Sequence, residues 1–266
     1  MFDSVQSALN SSGIKIEGGG FILLTETPTT SINGLVSHFL SWASANEHPV
    51  CLVALQHTWG HYCNVGNKMG INLRSRMEQE NIKVIEGLKM LSELSTDSNL
   101  EEHPFSFILQ GSGTNNPLKN LYSHIKKIIE PWQKEGKYFM LLIDNVTNLL
   151  SLGVNSKDIE IFMRYCNKLT STSSNICSTL VAVTTYDEKD EDGGILSKSL
   201  GHNAMLSLSV EGLSTGSSRD VHGNLKLQVF DDKCQFSCLP REQSYQYKME
   251  DKNMKLFAPG TAAGVL

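Results

Sequence analysis

The sequence has no long hydrophobic run. Its longest strongly apolar stretch, Tyr138 to Ile143, is far too short to cross a bilayer. The first residues, MFDSVQSALNSSG, carry an early acid and no apolar segment, so no secretory signal is expected. A basic surplus is missing as well. Lys and Arg number 23 against 28 Asp and Glu, for a formal net charge of -5 and a pI near 5.9. That balance argues against a protein that grips nucleic acid unaided, because phosphate binding shows as a basic excess. Cysteine is sparse: six in 266 residues, scattered as in reduced, cytosolic chains rather than in a disulfide framework.

Metal-ligand spacing is also wanting. Cys234 and Cys238 form a C-x3-C pair with no second pair to complete four ligands. Cys51, Cys63, Cys166 and Cys177 show no zinc-like spacing. His57, His61 and Cys63 are the more tempting cluster, with histidines at i and i+4, but the Glu of an HExxH motif is absent. Both clusters read as ordinary core or surface residues, and neither metal nor cofactor is expected.

What is present is an ordinary globular balance, 40% hydrophobic and 19% charged residues, with a mean hydropathy of -0.19. Collagen, coiled coil and wholesale disorder are excluded, and a full core can be buried without staples. Strands alternate with helices. Phe21 to Leu24 reads as a buried strand after the triplet Gly18 to Gly20. Ile32, Leu35, Val36, Phe39 and Leu40 then make one stripe of an amphipathic helix, with Thr30 or Ser31 as its N-cap. Val50 to Leu55 is a second strand, Tyr62 to Met69 a helix stopped by Gly70, and Ile82 to Ile85 a third, weaker strand. The polar stretch Ser92 to Pro104 reads as a loop and Phe105 to Leu109 as a short extended piece.

Pro117 opens a helix with Leu118, Leu121, Ile125, Ile128 and Ile129 on its apolar stripe, and Pro131 should end or kink it. Lys126 and Lys127 read as a solvated face of that helix. Tyr138 to Ile143, closed by Asp144, is apolar throughout, as expected of a parallel strand covered on both faces. A helix with Ile159, Phe162, Met163 and Cys166 on one face follows, capped by Asn155 or Ser156. After the Ser/Thr-rich loop Thr170 to Ser174 comes the strand Thr179 to Thr184, then an acidic loop Tyr186 to Gly194. Alternation at Met205 to Val210, Leu225 to Val229 and Tyr245 to Met249 predicts antiparallel edge strands, with turns at His222-Gly223-Asn224 and Asp251-Lys252-Asn253. The reading is one α/β domain over 1–266, core about 14–259, with frayed ends at Met1 to Ser12 and Gly260 to Leu266.

Strand, polar loop and helix at Phe21 to Leu40, with a later strand ending in Asp144, resemble the RecA-like ATPase core in order and spacing. In that core a loop GxxxxGK[ST] wraps phosphates with backbone N–H groups, its Lys neutralises them and its hydroxyl binds magnesium. Here Thr25 and Thr30 fall on the glycines, Ser31 on the lysine and Ile32 on the hydroxyl. No Gly or Lys occurs from Phe21 to Asn33, and Glu26 would repel phosphate. Where related ATPases of the circadian-clock and recombinase type carry a Glu that polarises water, this chain has Gln56, which cannot take a proton as a carboxylate does. Asp144 reads as a strand-end residue capping the turn into Asn145-Val146 rather than as a magnesium ligand. Gly111-Ser112-Gly113 lacks the spacing of a nucleophile elbow, and the eight histidines form no triad.

A RecA-like core with an empty phosphate loop is an unusual combination. The stretches CLVALQHTWGHYCNVGNKMGINL, YFMLLIDNVTNLLSLG and LFAPGTAAGVL resemble the Elongator complex protein 6 family in its vertebrate form, over nearly the whole chain. The resemblance implies a non-catalytic subunit that joins Elongator proteins 4 and 5, two copies of each, in a hexameric accessory ring. That ring serves Elongator core subunits in modifying wobble uridines of tRNA and binds tRNA. No membrane contact is implied, and residence is cytoplasmic with the nucleus left open.

Thr25 to Asn33 and the sheet edge at Leu225 to Val229 are the candidate ring contacts. Lys157, Lys189 and Lys198 are the basic residues near loops that face the hole of RecA-like rings, beside the acids Asp187 to Asp192. Two rival readings stand beside this one. The first is an ATPase with a divergent site that uses Asp144 at a subunit interface. The second is a RecA-like adaptor for DNA recombination.

Overall fold

A computed structural model describes residues 3–94, 101–110, 116–171, 177–213, 216, 218, 220–230, 240–250 and 253–259. In chain order the elements are α1 (Asp3–Ser11), β1 (Gly20–Glu26), α2 (Asn33–Ala45), β2 (Val50–Ala54), α3 (Trp59–Lys68), α4 (Leu73–Glu78), β3 (Ile82–Glu86), α5 (Gly87–Glu93), α6 (Phe107–Gln110), α7 (Lys119–Lys134), β4 (Met140–Asp144), α8 (Asn148–Ser151), α9 (Ser156–Ser171), β5 (Thr179–Thr185), α10 (Glu191–Asn203), β6 (Leu206–Glu211), β7 (Gly223–Val229), β8 (Arg241–Met249) and β9 (Met254–Phe257).

The strands form one nine-stranded sheet in the order β3-β2-β4-β5-β1-β6-β7-β8-β9. From β3 to β6 every pairing is parallel, and from β6 to β9 every pairing is antiparallel. Alternate residues of β1, β2, β4 and β5 face opposite sides. Ile22, Leu24, Leu52, Leu142 and Val181 pack with α1 to α4 in one apolar cluster. Leu23, Val53, Leu141, Ile143 and Leu180 pack with α7, α9 and α10 in the other. Every residue of β2 and β4 is buried. Their continuous hydrophobicity is therefore what two covered faces demand.

Several expectations are corrected. The amino-terminal segment is not frayed over its described residues. Val5, Ala8 and Leu9 stand at i, i+3 and i+4, are buried, and hold α1 against β9, where the Ser4 hydroxyl donates to the Met254 carbonyl at 2.8 Å. Phe105 to Leu109 is not extended: its second half lies in the short helix α6. The predicted loop Ser92 to Pro104 gives up Ser92 and Glu93 to α5, and 95–100 fall outside the described residues. Pro131 does not stop α7, which runs on through Trp132 to Lys134. Its missing N–H costs the helix one bond to the preceding turn, and α7 ends three residues later, with Trp132 still buried. The acidic loop is shorter than expected, because α10 begins at Glu191 and Asp190 caps it by accepting from the Gly193 N–H at 3.2 Å. For α9 the expected cap is present: Asn155 accepts from the Asp158 N–H at 2.9 Å.

The carboxy-terminal strands differ most. β6 pairs parallel with β1, so only β7, β8 and β9 make antiparallel additions. His222 to Asn224 is not a hairpin turn; Gly223 and Asn224 already belong to β7, opposite Tyr247 and Gln246 of β8. β7 lies between β6 and β8, so Leu225 to Val229 is interior to the sheet and not its edge. Alternation reports one buried face but not the direction or the neighbours of a strand. The turn placed at Asp251 to Asn253 and the loop Thr170 to Ser174 lie partly outside the described residues. Gly111-Ser112-Gly113, Cys234, Cys238 and 260–266 lie wholly outside them.

Candidate functional site

The carboxyl ends of β1, β2, β4 and β5 converge, which is where open α/β sheets hold their ligands. The turn after β1 is closed on its own threonines. Thr30 N–H donates to the Thr27 carbonyl at 3.0 Å, and Thr27 N–H donates to the Thr30 hydroxyl at 3.0 Å. That hydroxyl also lies 3.1 Å from the Val210 carbonyl at the end of β6. The backbone N–H groups of Thr27 and Thr30 are thereby used within the turn itself.

Glu26, the last residue of β1, decides the chemistry of this place. It is buried at 6% exposure, and its Oε2 accepts from the Ile32 N–H at 2.9 Å. Ile32 immediately precedes α2, so the carboxylate sits over the positive end of that helix. In an intact phosphate loop this helix terminus receives the nucleotide's phosphates. Here the protein's own anion occupies it. Neither Thr30 nor Ser31 caps α2: the N-cap position is Ile32, without a side-chain bond. Ser31 only accepts from the Asn33 N–H at 3.3 Å. Ile32 points into the core at 2% exposure.

Gln56 and Asp144 join Glu26. Gln56 Nε2 approaches Glu26 Oε1 at 3.4 Å, and its own Oε1 is buried without a hydrogen-bond partner. The backbone N–H groups of Leu55 and Gln56 both donate to the Asp144 carbonyl, which ties the end of β2 to β4. The Asp144 carboxylate accepts from the Tyr62 hydroxyl at 2.6 Å. Burial pushes the Asp144 carboxyl up to about 6; the Tyr62 bond opposes that rise and the charge of Glu26 adds to it. Burial, with the Asp144 charge, also raises the Tyr62 phenol far above its usual range. Asp144 does not cap the following turn. Asn145 does, accepting from the Thr147 N–H at 2.9 Å while its amide donates to Thr185 at 2.8 Å.

Of the sequence candidates, Glu26's neighbours Gln56 and Asp144 come together, and Thr25 does not join them. Its hydroxyl faces the other side of the sheet, 3.2 Å from that of Thr184, which in turn lies 3.1 Å from Ser197 on α10. Tyr62 was not foreseen as a site residue; its spacing in the sequence gives no sign of Asp144. In the sequence Glu26 signals only a charge that repels phosphate; the fold makes it the occupant of the helix end. An acid at the end of a strand, six residues before the N-cap of a helix, was the available signal.

The three lysines are spread over different elements. Lys157 is exposed in the first turn of α9 and Lys189 in the loop before α10. Lys198 projects from α10 with its Nζ 5.7 Å from the Tyr186 ring, at the wall of a 570 Å³ cleft that also touches Thr25, Ser209 and His202. His57 and His61 stack at 4.1 Å between ring centroids, whereas Cys63 is buried. Among the described residues no group of three or more His, Cys, Asp or Glu is placed to hold a metal ion. Among them too, no helix is long and apolar enough to cross a membrane.

Comparison with solved structures returns the same core. An uncharacterised protein from Pyrococcus horikoshii, solved with an unknown peptide, superposes with a TM-score of 0.63 at 12% identity, covering 96% of this chain and 98% of that one. A KaiC-like protein of the same organism superposes at a TM-score of 0.51 and 12% identity, covering 90% and 89%. The fold is thus RecA- and KaiC-like. Sequence relatives are more specific. Elongator complex protein 6 of Mus musculus is 36% identical and that of Homo sapiens 32% identical, each over the full length of both chains. That of Drosophila melanogaster is 23% identical over 91% of each. The family profile described as Elongation complex protein 6 matches residues 2–251, and the chain belongs to that family.

Proposed function

We propose that the chain is a non-catalytic, RecA-shaped subunit of the Elongator accessory ring. In this reading it assembles with Elongator proteins 4 and 5 and supports wobble-uridine modification of tRNA by building the ring rather than by turning over nucleotide. One observation carries the non-catalytic part: the Glu26 carboxylate holds the α2 terminus that phosphates would need. A nucleotide would have to displace a buried ion from its hydrogen bond and then bring its own phosphates next to Glu26 and Asp144. At an effective dielectric near 20, like charges about 4 Å apart repel by roughly 4 kcal/mol. Gln56 stands where an attacking water would need a carboxylate base.

RecA-like subunits place nucleotide between neighbours, so a subunit stripped of phosphate chemistry still has the two faces that a ring requires. The exposed turn around Thr29 and Ser31 is the candidate for one of them. Transfer RNA contact would draw on Lys157, Lys189 and Lys198, with partner subunits supplying most of the positive charge. Coexpression with the two partner proteins and light scattering after size exclusion tests the assembly. A six-subunit mass is expected, and a chain that stays monomeric beside both partners would overturn it.

A further inference from the structure

The first half of α7 and the facing side of α9 enclose a cavity of about 240 Å³, outside the site at the strand ends. Its base is apolar: Leu118 and Phe162 are buried beneath it, and Ile161 forms a wall. Two tyrosines stand at its mouth, Tyr122 on α7 and Tyr165 on α9, with ring centroids 5.6 Å apart. Tyr165 is 55% exposed, among the most exposed large hydrophobic residues described. An aromatic left open beside an apolar cavity marks a place where something binds more often than a solvated surface does.

Size and charge narrow the occupant. Small-molecule sites usually measure roughly 300–1,000 Å³, so this cavity suits a single large side chain better than a cofactor. Lys119 and Lys126 lie three residues before and four after Tyr122, on the same ridge of the helix. Lys127 is exposed beside them. Among the described residues none of the three forms a close ion pair; Glu130, one turn beyond Lys126, feels its charge but is bonded to Lys134 at 3.0 Å. Asp158, the one acid in the lining, is held back by Asn155, whose amide donates to its Oδ2 at 2.7 Å. The rim therefore carries three lysines against one aspartate, a positive surplus on a chain that is acidic as a whole. Stacked bases are a poorer match: Tyr122 is half-buried, so only Tyr165 presents an open ring, where successive bases need successive platforms.

We propose that the α7–α9 groove docks an acidic peptide segment of a partner protein, which inserts one aromatic or leucine side chain between Tyr122 and Tyr165. The apolar anchor supplies the affinity and the acids set the register along Lys119 and Lys126.

Phage-displayed random dodecapeptides selected on the full chain test this directly. Two variants serve as counter-targets. Tyr165→Glu puts a charge at the mouth, and Lys119→Glu with Lys126→Glu reverses the rim; all three residues are exposed, and thermal melting checks the fold. Should Tyr165→Glu shift the melting, Tyr165→Ser repeats the test with a neutral side chain. Enriched peptides are expected to carry Asp or Glu around a single Trp, Phe or Leu. By fluorescence polarisation they should lose at least roughly tenfold in affinity on either variant and weaken with added salt. Absence of a consensus, a basic consensus, or binding unchanged on both variants would overturn the proposal. So would an oligouridine that binds the parent chain and is lost on Tyr165→Glu, since that result assigns the groove to single-stranded RNA.

Discussion

Asp144 and His38 make opposite demands on pH. Burial raises the Asp144 carboxyl to about 6, so the native state holds its proton more tightly than the unfolded chain. This group favours folding at low pH, and the preference is lost as pH rises through about 6. Burial lowers His38, inside α2, to about 4. It favours folding above the ordinary histidine range, and that preference is lost as pH falls toward 4. Each contributes on the order of 3 kcal/mol, with opposed slopes between about 4 and 6. Asp144→Asn should therefore be about 1–3 kcal/mol more stable than the parent at pH 7, with the gain shrinking toward pH 4. Urea unfolding at several pH values measures this, and a pH-independent difference between the two proteins would contradict the assignment. Glu26→Ala acts differently. It leaves the Ile32 N–H buried without its acceptor and should cost about 1–3 kcal/mol, read from the same urea midpoints.

At the level of elements, the strands were legible where burial is continuous. β2 and β4 have no exposed face, and their hydrophobic runs mark them to within a residue or two. The amphipathic stripes of α7 and α9 were equally plain, since Leu121, Ile125 and Ile129 recur on one buried face. Hidden features were those that depend on partners distant in the chain. Val5 to Leu9 needed β9, some 250 residues later, to reveal a packed helix. The direction of β6 needed β1. The pairing of Tyr62 with Asp144 spans 82 positions and leaves no local trace. Gly223 shows how tight the added strands are. A Cβ there would fall against the Glu211 carbonyl and the Tyr247 ring. Gly223→Ala should cost about 1–3 kcal/mol through overpacking and lower the melting temperature, while Gly136→Ala, with no neighbour within 4 Å of a Cβ, should leave packing undisturbed and meet only the strain of its positive φ.

For the whole molecule, a nine-stranded RecA-like sheet is retained while the residues for phosphate chemistry are replaced. The candidate site was readable as an absence, because no Gly or Lys stands between Phe21 and Asn33. What fills the absence was not readable, since Glu26 reaches Ile32 only once the threonine turn has folded back. An acidic chain of this kind contributes few phosphate contacts of its own. If the proposed ring binds RNA through these loops, Lys157→Ala with Lys198→Ala should weaken that binding and lower the slope of log affinity against log salt by up to about 2. A parent-like slope would remove both lysines from the interface.

Nucleotide binding is the most direct test of a non-catalytic subunit. Isothermal titration of the purified chain with ATP and magnesium should give no saturable heat up to millimolar nucleotide, because Glu26 already occupies the helix terminus. Micromolar binding that disappears in Asp144→Ala would contradict it and would make the chain a working nucleotide-binding subunit.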